Sequence, residues 1–179
     1  MFDIYQADRE EKHRFLLGKN GKSILFVVGL NPSTANQEKS DVTASKVEKV
    51  ALNNGYDGFV MSNLYPLRST NPKNLPETGD RTLIKQNVKI ISSLARSRVK
   101  PVFWAAWGGG IKTRSYLQES LLLLAHEVST VNGSWVNYGL LRKDGHPRHP
   151  SRLSYSWTFQ DFDILSYVKN LPSQDFSIL

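Results

Sequence analysis

The chain has 179 residues, with 23 Lys+Arg against 16 Asp+Glu, 4 His and no Cys, for a formal net charge of +7. This length suits a single domain over 1–179 with a real core, and 40% hydrophobic residues with 11% aromatics exclude a disordered tail. The absence of cysteine excludes a disulfide framework, a thiolate zinc site, an iron–sulfur cluster and a cysteine nucleophile. No apolar run approaches the ~18 residues that span a bilayer. Met1-Phe2-Asp3-Ile4-Tyr5 lacks the basic segment and apolar run of a secretory signal, so the expected setting is the cytoplasm, with no membrane partner. A basic domain suits a polyanionic partner, of which nucleic acid is the commonest.

Residues 1–22 are charged and read as a flanking segment, either a helix or a strand. Ile24-Leu25-Phe26-Val27-Val28-Gly29-Leu30 is apolar on both faces and stops at Asn31-Pro32, which predicts a parallel strand covered on both sides. Ser40 or Asp41 caps a helix that runs to about Asn54, where Gly55 stops it. Gly58 to Leu64 is a second strand, followed by a polar loop with Pro66, Pro72 and Pro76. Leu83, Ile84, Val88, Ile91, Leu94 and Ala95 recur at helical spacing from about Asp80 to Ala95. Val102 to Trp107 is a third strand and runs into Gly108-Gly109-Gly110; a helix follows from about Thr113 to Ala125. Ser134 to Leu140 is a fourth strand, Arg142 to Tyr155 a polar loop, and Asp161 to Leu171 a closing helix with Phe162, Leu165 and Val168 inward. This βαβαβαβ order predicts an α/β fold, a three-layer αβα sandwich around a central, mostly parallel four-stranded sheet.

Ligands on such sheets sit beyond the carboxyl ends of the strands. Four segments fall there. Asn31, after the first strand, can orient a water or read a polar ligand, although Asn before Pro also simply turns well. Asn63 ends the second strand with a donor and an acceptor in one plane, a match to a base edge, or else it satisfies backbone groups where the strand stops. Arg68 is either a phosphate contact or a solvated loop residue. Trp107 to Lys112 joins a strand to a helix and can offer backbone amides to an anion, but it is neither a P-loop nor a dinucleotide fingerprint. Gly145 to Ser154 holds two of the four histidines among prolines and arginines. No third ligand accompanies His146 and His149, so no metal and no cofactor are expected. Asp41 is explained by a helix cap. No nucleophile elbow and no Ser-His-Asp order occur.

Taken together these segments resemble the uracil-DNA glycosylase superfamily. Gly29-Leu30-Asn31-Pro32 is similar to its first motif, nearer the mismatch-specific Gly-x-Asn-Pro-Gly than the uracil-specific Gly-Gln-Asp-Pro-Tyr-His. Ser62-Asn63 with Leu67-Arg68 resembles the base-reading segment, and Val102 to Gly108 the third strand that ends in Leu-Trp-Gly. His149-Pro150-Ser151-Arg152-Leu153-Ser154 resembles His-Pro-Ser-Pro-Leu-Ser, with Arg152 in place of Pro. A closer resemblance is to an uncharacterised bacterial and phage family that shares Leu-Asn-Pro-Ser-Thr-Ala, Asp-x-Thr (Asp41-Val42-Thr43), Asn-Leu-aromatic-x-x-Arg-x-Thr, Ala-Trp-Gly and Asp-Gly-x-Pro-Arg-His-Pro. That family brings no established activity.

The glycosylase resemblance implies a glycosylase-like fold and an enzyme that draws a base from the stack and hydrolyses its N-glycosidic bond. Under it, Asn31 orients the attacking water and His149 stabilises the departing base. Asn63 reads the base edge beside Pro32 and Ser33. Leu153 is the wedge. Arg68, Gly108, Gly109, Lys112, Arg148, Ser151 and Arg152 hold the nucleic-acid backbone. An amide is a poor base, so Asn31→Asp is expected to speed the reaction if water activation limits it. The bulky residue that excludes a thymine methyl is missing, since Ser33-Thr34 stand there, and uracil specificity does not follow. Asp41 and Thr43 belong to the closer family alone and mark an additional polar site. The expected partner is nucleic acid, DNA first, or a nucleotide, bound by a monomer. The alternatives are a non-catalytic nucleic-acid or nucleotide binder, and a small-molecule enzyme on the same scaffold.

Overall fold

Ile24–Gly29 (β3) and Gly58–Asn63 (β4) are buried along their whole length, as their unbroken apolar runs require. In the computed structural model, which describes residues 1–172, they pair in parallel from Ile24–Gly58 to Gly29–Asn63. Val102–Ala105 (β5) pairs in parallel with the other side of β3, and Ser134–Tyr138 (β6) pairs in parallel with β5. The four predicted strands thus lie side by side in the order β4-β3-β5-β6.

The sheet does not stop at four strands. It has seven, in the order β1-β2-β4-β3-β5-β6-β7, with three parallel and three antiparallel pairings, so it is mixed rather than mostly parallel. The N-terminal segment supplies two of the extra strands, Ile4–Ala7 (β1) and Arg14–Lys19 (β2), and Phe159–Asp161 (β7) is the third. Each added strand lies at or near an edge, where short strands with charged residues resist further pairing. That composition hides the period-two pattern. Lys12, His13 and Arg14 lead into Phe15-Leu16-Leu17, and β7 has only three residues.

Alternation along β3 divides the core. Ile24, Phe26 and Val28 face Arg81–Arg96 (α2), Ser115–Thr130 (α3) and Ile164–Lys169 (α4), while Leu25 and Val27 face Val42–Asn53 (α1). Asp41 caps α1 by accepting from the Ala44 amide at 2.8 Å, and Asp80 caps α2 by accepting from those of Thr82 and Leu83. α3 runs on past Ala125 to Thr130, because neither glycine nor proline interrupts it before Gly133. The closing helix differs from expectation. Asp163 is its cap, so it spans only Ile164–Lys169. That phase turns Ile164, Tyr167 and Val168 inward and leaves Leu165 67% exposed.

Candidate functional site

β3 leads through α1 to β4 on one side, while β5 lies on its other side. The loops that leave β3 and β5 therefore diverge, and such a divergence opens a crevice at the carboxyl ends of parallel strands. A cleft of about 760 Å³ lies here, within the range of small-ligand sites. It brings together Asn31 and Ser33 after β3, Asn63 at the end of β4, Gly108 and Gly109 after β5, and Arg148, His149, Ser151 and Arg152 after β6. Asp41 and Thr43 at the start of α1 complete the lining. Pro32, Arg68, Lys112 and Leu153 do not line it.

Two amides in the lining have their donors taken by backbone carbonyls. Asn31 Nδ2 donates to the carbonyls of Ser69 (2.7 Å) and Pro32 (3.1 Å), so both its protons are committed and only Oδ1 remains. Asn63 is satisfied when its nitrogen donates to the carbonyls of Ser62 and Asn31, each at 3.3 Å. Asn63 therefore does not offer the expected donor–acceptor pair to a ligand; its donors are used, and an acceptor remains. Gly29 makes this possible, because a Cβ there would stand 2.7 Å from the Asn63 amide. The Asn63 backbone is held in turn by Asn87 Nδ2, which donates to its carbonyl at 2.8 Å.

His149 caps the 3-10 turn Pro150–Arg152. Its Nδ1 accepts from the Ser151 amide at 3.2 Å, and a backbone N–H can only donate. The proton of a neutral ring must then sit on Nε2, and Ser151 Oγ donates to Nδ1 as well, at 2.9 Å. Ser151 thus holds the His149 ring, and its own carbonyl accepts from Lys46 Nζ at 2.6 Å. The ring keeps an exposed face in the cleft although protein crowds it from the concave side. That crowding lowers its pKa, and the nearby Asp41 carboxylate opposes the shift. Gly108, at φ +69°, lies beside His149; a Cβ there would stand 3.5 Å from that of His149. His149 is therefore a neutral ring near pH 7 with Nε2–H as its one donor.

The lining is strongly basic, with Arg14, Arg142, Arg148 and Arg152 against Asp41. Arg142 is held by Asp144 in two hydrogen bonds of 3.0 Å, which push the Asp144 carboxyl well below the usual carboxylate range. Arg148 donates from Nε to the Leu140 carbonyl at 2.8 Å and lies over the Trp157 ring. Arg14 escaped the sequence reading. It is 2% exposed and donates from Nη1 to the Ala35 carbonyl at 2.8 Å, and burial with the nearby Arg68 charge pulls its pKa down to about 10. Its signal, a lone charge entering the apolar Phe15-Leu16-Leu17 run, becomes visible only once β2 is recognised as a strand.

Four of the expected site residues stand outside the cleft lining. Arg68 donates to the carbonyls of Ser33 (3.1 Å) and Ala35 (2.7 Å) and pairs with Glu11 at 3.0 Å, so it ties the N-terminal strands to the loop after β3. Lys112 is exposed on the 3-10 turn Gly108–Thr113, away from the cleft. Leu153 is half-buried and packs against the α1-side core. Buried Pro32 shapes the loop through its carbonyl, which accepts from the Ser69 amide at 2.9 Å.

His146 is a structural histidine, 5% exposed. Tyr167 Oη accepts from Trp107 Nε1 at 3.0 Å and shares a hydrogen bond of 2.7 Å with His146 Nδ1. Burial lowers the His146 pKa, as it does that of His149. Both folded-state values lie below that of the unfolded chain. The stability these neutral rings contribute is complete above about 6.5 and is lost as pH falls through the lowered values. The thermal midpoint is expected to drop between pH 7.5 and 5.5, and His146→Gln should reduce that drop. An unchanged slope in the variant would remove His146 from the account. Among the described residues no group of three His, Asp or Glu side chains stands close enough to share a metal ion.

No curated protein and no solved structure matches the chain. The sequence profile of one family does, over residues 14–151, which run from the first residue of β2 to the turn that His149 caps. By that match the chain belongs to DUF1643, a family described as a protein of unknown function.

Proposed function

We propose that the cleft takes a nucleobase with its phosphates and hydrolyses the N-glycosidic bond, as the resemblance to the uracil-DNA glycosylases implies. The observation that carries the reading is that Asn31, Asn63 and His149, from loops far apart in the chain, line one cleft at the carboxyl end of the sheet. Their remaining hydrogen-bonding groups suit the chemistry. A water held by Asn31 Oδ1 attacks the anomeric carbon, and a carbon–oxygen bond forms as the carbon–nitrogen bond breaks. The electron pair leaves with the base, toward the His149 Nε2–H, where a donor fixed in advance stabilises developing negative charge. The amide cannot keep the water's proton, which passes to the departing base or to solvent. Asn63 Oδ1 accepts from an N–H on the base edge.

One observation favours a second reading within this chemistry. Leu153 is half-buried against the α1-side core and is not an exposed residue, which does not suit a wedge that must project into a duplex. A base in a single strand, or a free nucleoside or nucleotide, needs no wedge. Single- and double-stranded oligonucleotides with one modified or mismatched base, together with nucleosides and nucleotides, are to be scored for released base. Release from at least one is expected. No release from any, despite binding, leaves a binder and overturns the enzyme. Binding that is level between about 50 and 200 mM salt would overturn a polymeric nucleic-acid partner, because phosphate contacts weaken steeply with salt.

A further inference from the structure

We propose that Arg14 is a buried anion receptor in the floor of the cleft, and that the ligand presents to it a phosphate monoester rather than the diester of a continuous strand. The proposal rests on the base-processing reading for the base and deepens it by naming the group the base carries.

The starting point is an arginine with too few partners. A guanidinium has five donor protons, and burying its charge is costly unless it is paired and hydrogen-bonded. Arg14 is 2% exposed, yet among the described residues its one side-chain hydrogen bond is from Nη1 to the Ala35 carbonyl at 2.8 Å. That carbonyl is not its own, since Arg68 Nη1 donates to the same oxygen at 2.7 Å. Two like charges thus converge on one neutral acceptor. Arg68 is neutralised by Glu11 at 3.0 Å; among the described residues Arg14 has no carboxylate oxygen within 4.0 Å. Arg14 Nε is sealed from water and has no acceptor among the described residues.

The nearest negative charge does not repair this. Asp41 lies close enough for its charge to act on Arg14, but its carboxylate is turned to the backbone. Oδ1 accepts from the Ala44 amide at 2.8 Å and Oδ2 from the Ala35 amide at 3.3 Å. It is a helix cap that leaves the guanidinium unanswered. An incoming oxyanion supplies what is missing, and charge-assisted hydrogen bonds to a planar fork are the strongest this protein can offer it. Thr43 and Thr70 bring further hydroxyls to the same lining.

Depth decides the form of the phosphate. Arg142 and Arg152 are exposed residues at the mouth, open to the phosphates of a strand that passes by. Arg14 is reached only from inside the cleft. A diester carries chain on both sides and cannot bring an oxygen to a buried point without burying both continuations. A monoester ends there. The ligand is a mononucleotide or the phosphorylated end of a strand.

The test is calorimetric titration of the full chain with inorganic phosphate, the 5′- and 3′-mononucleotides, the matching nucleosides, dinucleoside monophosphates, and oligonucleotides with and without a terminal phosphate. At least one mononucleotide or terminally phosphorylated oligonucleotide is expected to bind ten-fold or more tightly than its unphosphorylated counterpart and than the corresponding diester. That advantage should fall below about three-fold in Arg14→Met and in Arg14→Lys, which keeps the charge but loses the fork. Lys89→Gln, an exposed charge on α2, should retain it. A gain for the phosphorylated oligonucleotide and none for the mononucleotide identifies a strand end as the source; the reverse identifies a free nucleotide. Equal binding of monoester, diester and nucleoside by the unaltered protein overturns the proposal without any variant. So does a monoester advantage that survives in a folded Arg14 variant. Monoester binding through Arg14 with no base released sinks only the base-processing reading, whereas base release that ignores terminal phosphate sinks only this one.

Discussion

Replacing His149 by alanine is expected to lower turnover by about 100-fold or more on whichever substrate loses its base, the loss typical of one fixed donor to a developing anion. At 1.36 kcal/mol per factor of ten, this is roughly 2.7 kcal/mol of transition-state stabilisation. The ring has two jobs that a single variant confuses. Nδ1 caps the 3-10 turn through the Ser151 amide, and Nε2–H is the remaining donor of a residue that lines the cleft. Asparagine separates them, because its side-chain oxygen is a good cap while it is too short to replace Nε2. His149→Asn should keep the thermal midpoint within a few degrees and still lose turnover. His149→Ala should lose both turnover and about 1 kcal/mol of stability. Turnover that is unchanged in the two variants would take His149 out of the reaction.

Asn31→Asp is expected to damage the protein, the reverse of the gain that the resemblance alone suggests. A carboxylate is the better base, which is the ground for expecting faster chemistry. In the folded chain, however, Asn31 Nδ2 donates to the carbonyls of Ser69 at 2.7 Å and Pro32 at 3.1 Å. Aspartate would set a charged oxygen against two carbonyl oxygens in a partly buried turn. Two donor bonds vanish and repulsion replaces them, at a cost of roughly 2–3 kcal/mol. For a chain of this length that lowers the thermal midpoint by about 5–10 °C, and the loop that carries the site should loosen. A midpoint equal to the parent's together with faster turnover would show that the loop accommodates the carboxylate and that the amide geometry is not decisive. The Asn31→Ser variant, with a small donor and no charge, is expected to lose less stability than Asn31→Asp.

Local chemistry made much of this protein legible without coordinates. Unbroken apolar runs identify β3 and β4, because only a strand covered on both faces tolerates Leu25-Phe26-Val27-Val28. Asp41 and Asp80 announce the starts of their helices, since a cap acts within three residues. The gathering of Asn31, Asn63 and His149 follows from strand order, because parallel strands send all their carboxyl ends to one side. The edges were not legible, because edge strands are kept short and charged. Leu165 was misplaced because the helix begins only after Asp163, so Phe162 lies outside it and Ile164, Tyr167 and Val168 set the inward face.

What the residues by themselves determine is therefore which segments become strands and helices and which rim they reach. Only the tertiary structure decides what each polar side chain does there. Asn63 looks like a two-way reader until the carbonyls of Ser62 and Asn31 take its donors. Arg68 looks like a phosphate ligand until Glu11, 57 positions away, claims it. Arg14 looks like an ordinary charge in a basic segment until β2 carries it, nearly unpartnered, beneath the cleft. The physical reason is the range of the interactions. Periodicity and capping act over a few residues along the chain, whereas a hydrogen bond or an ion pair acts over a few ångströms in space and takes its partner from wherever the fold delivers one.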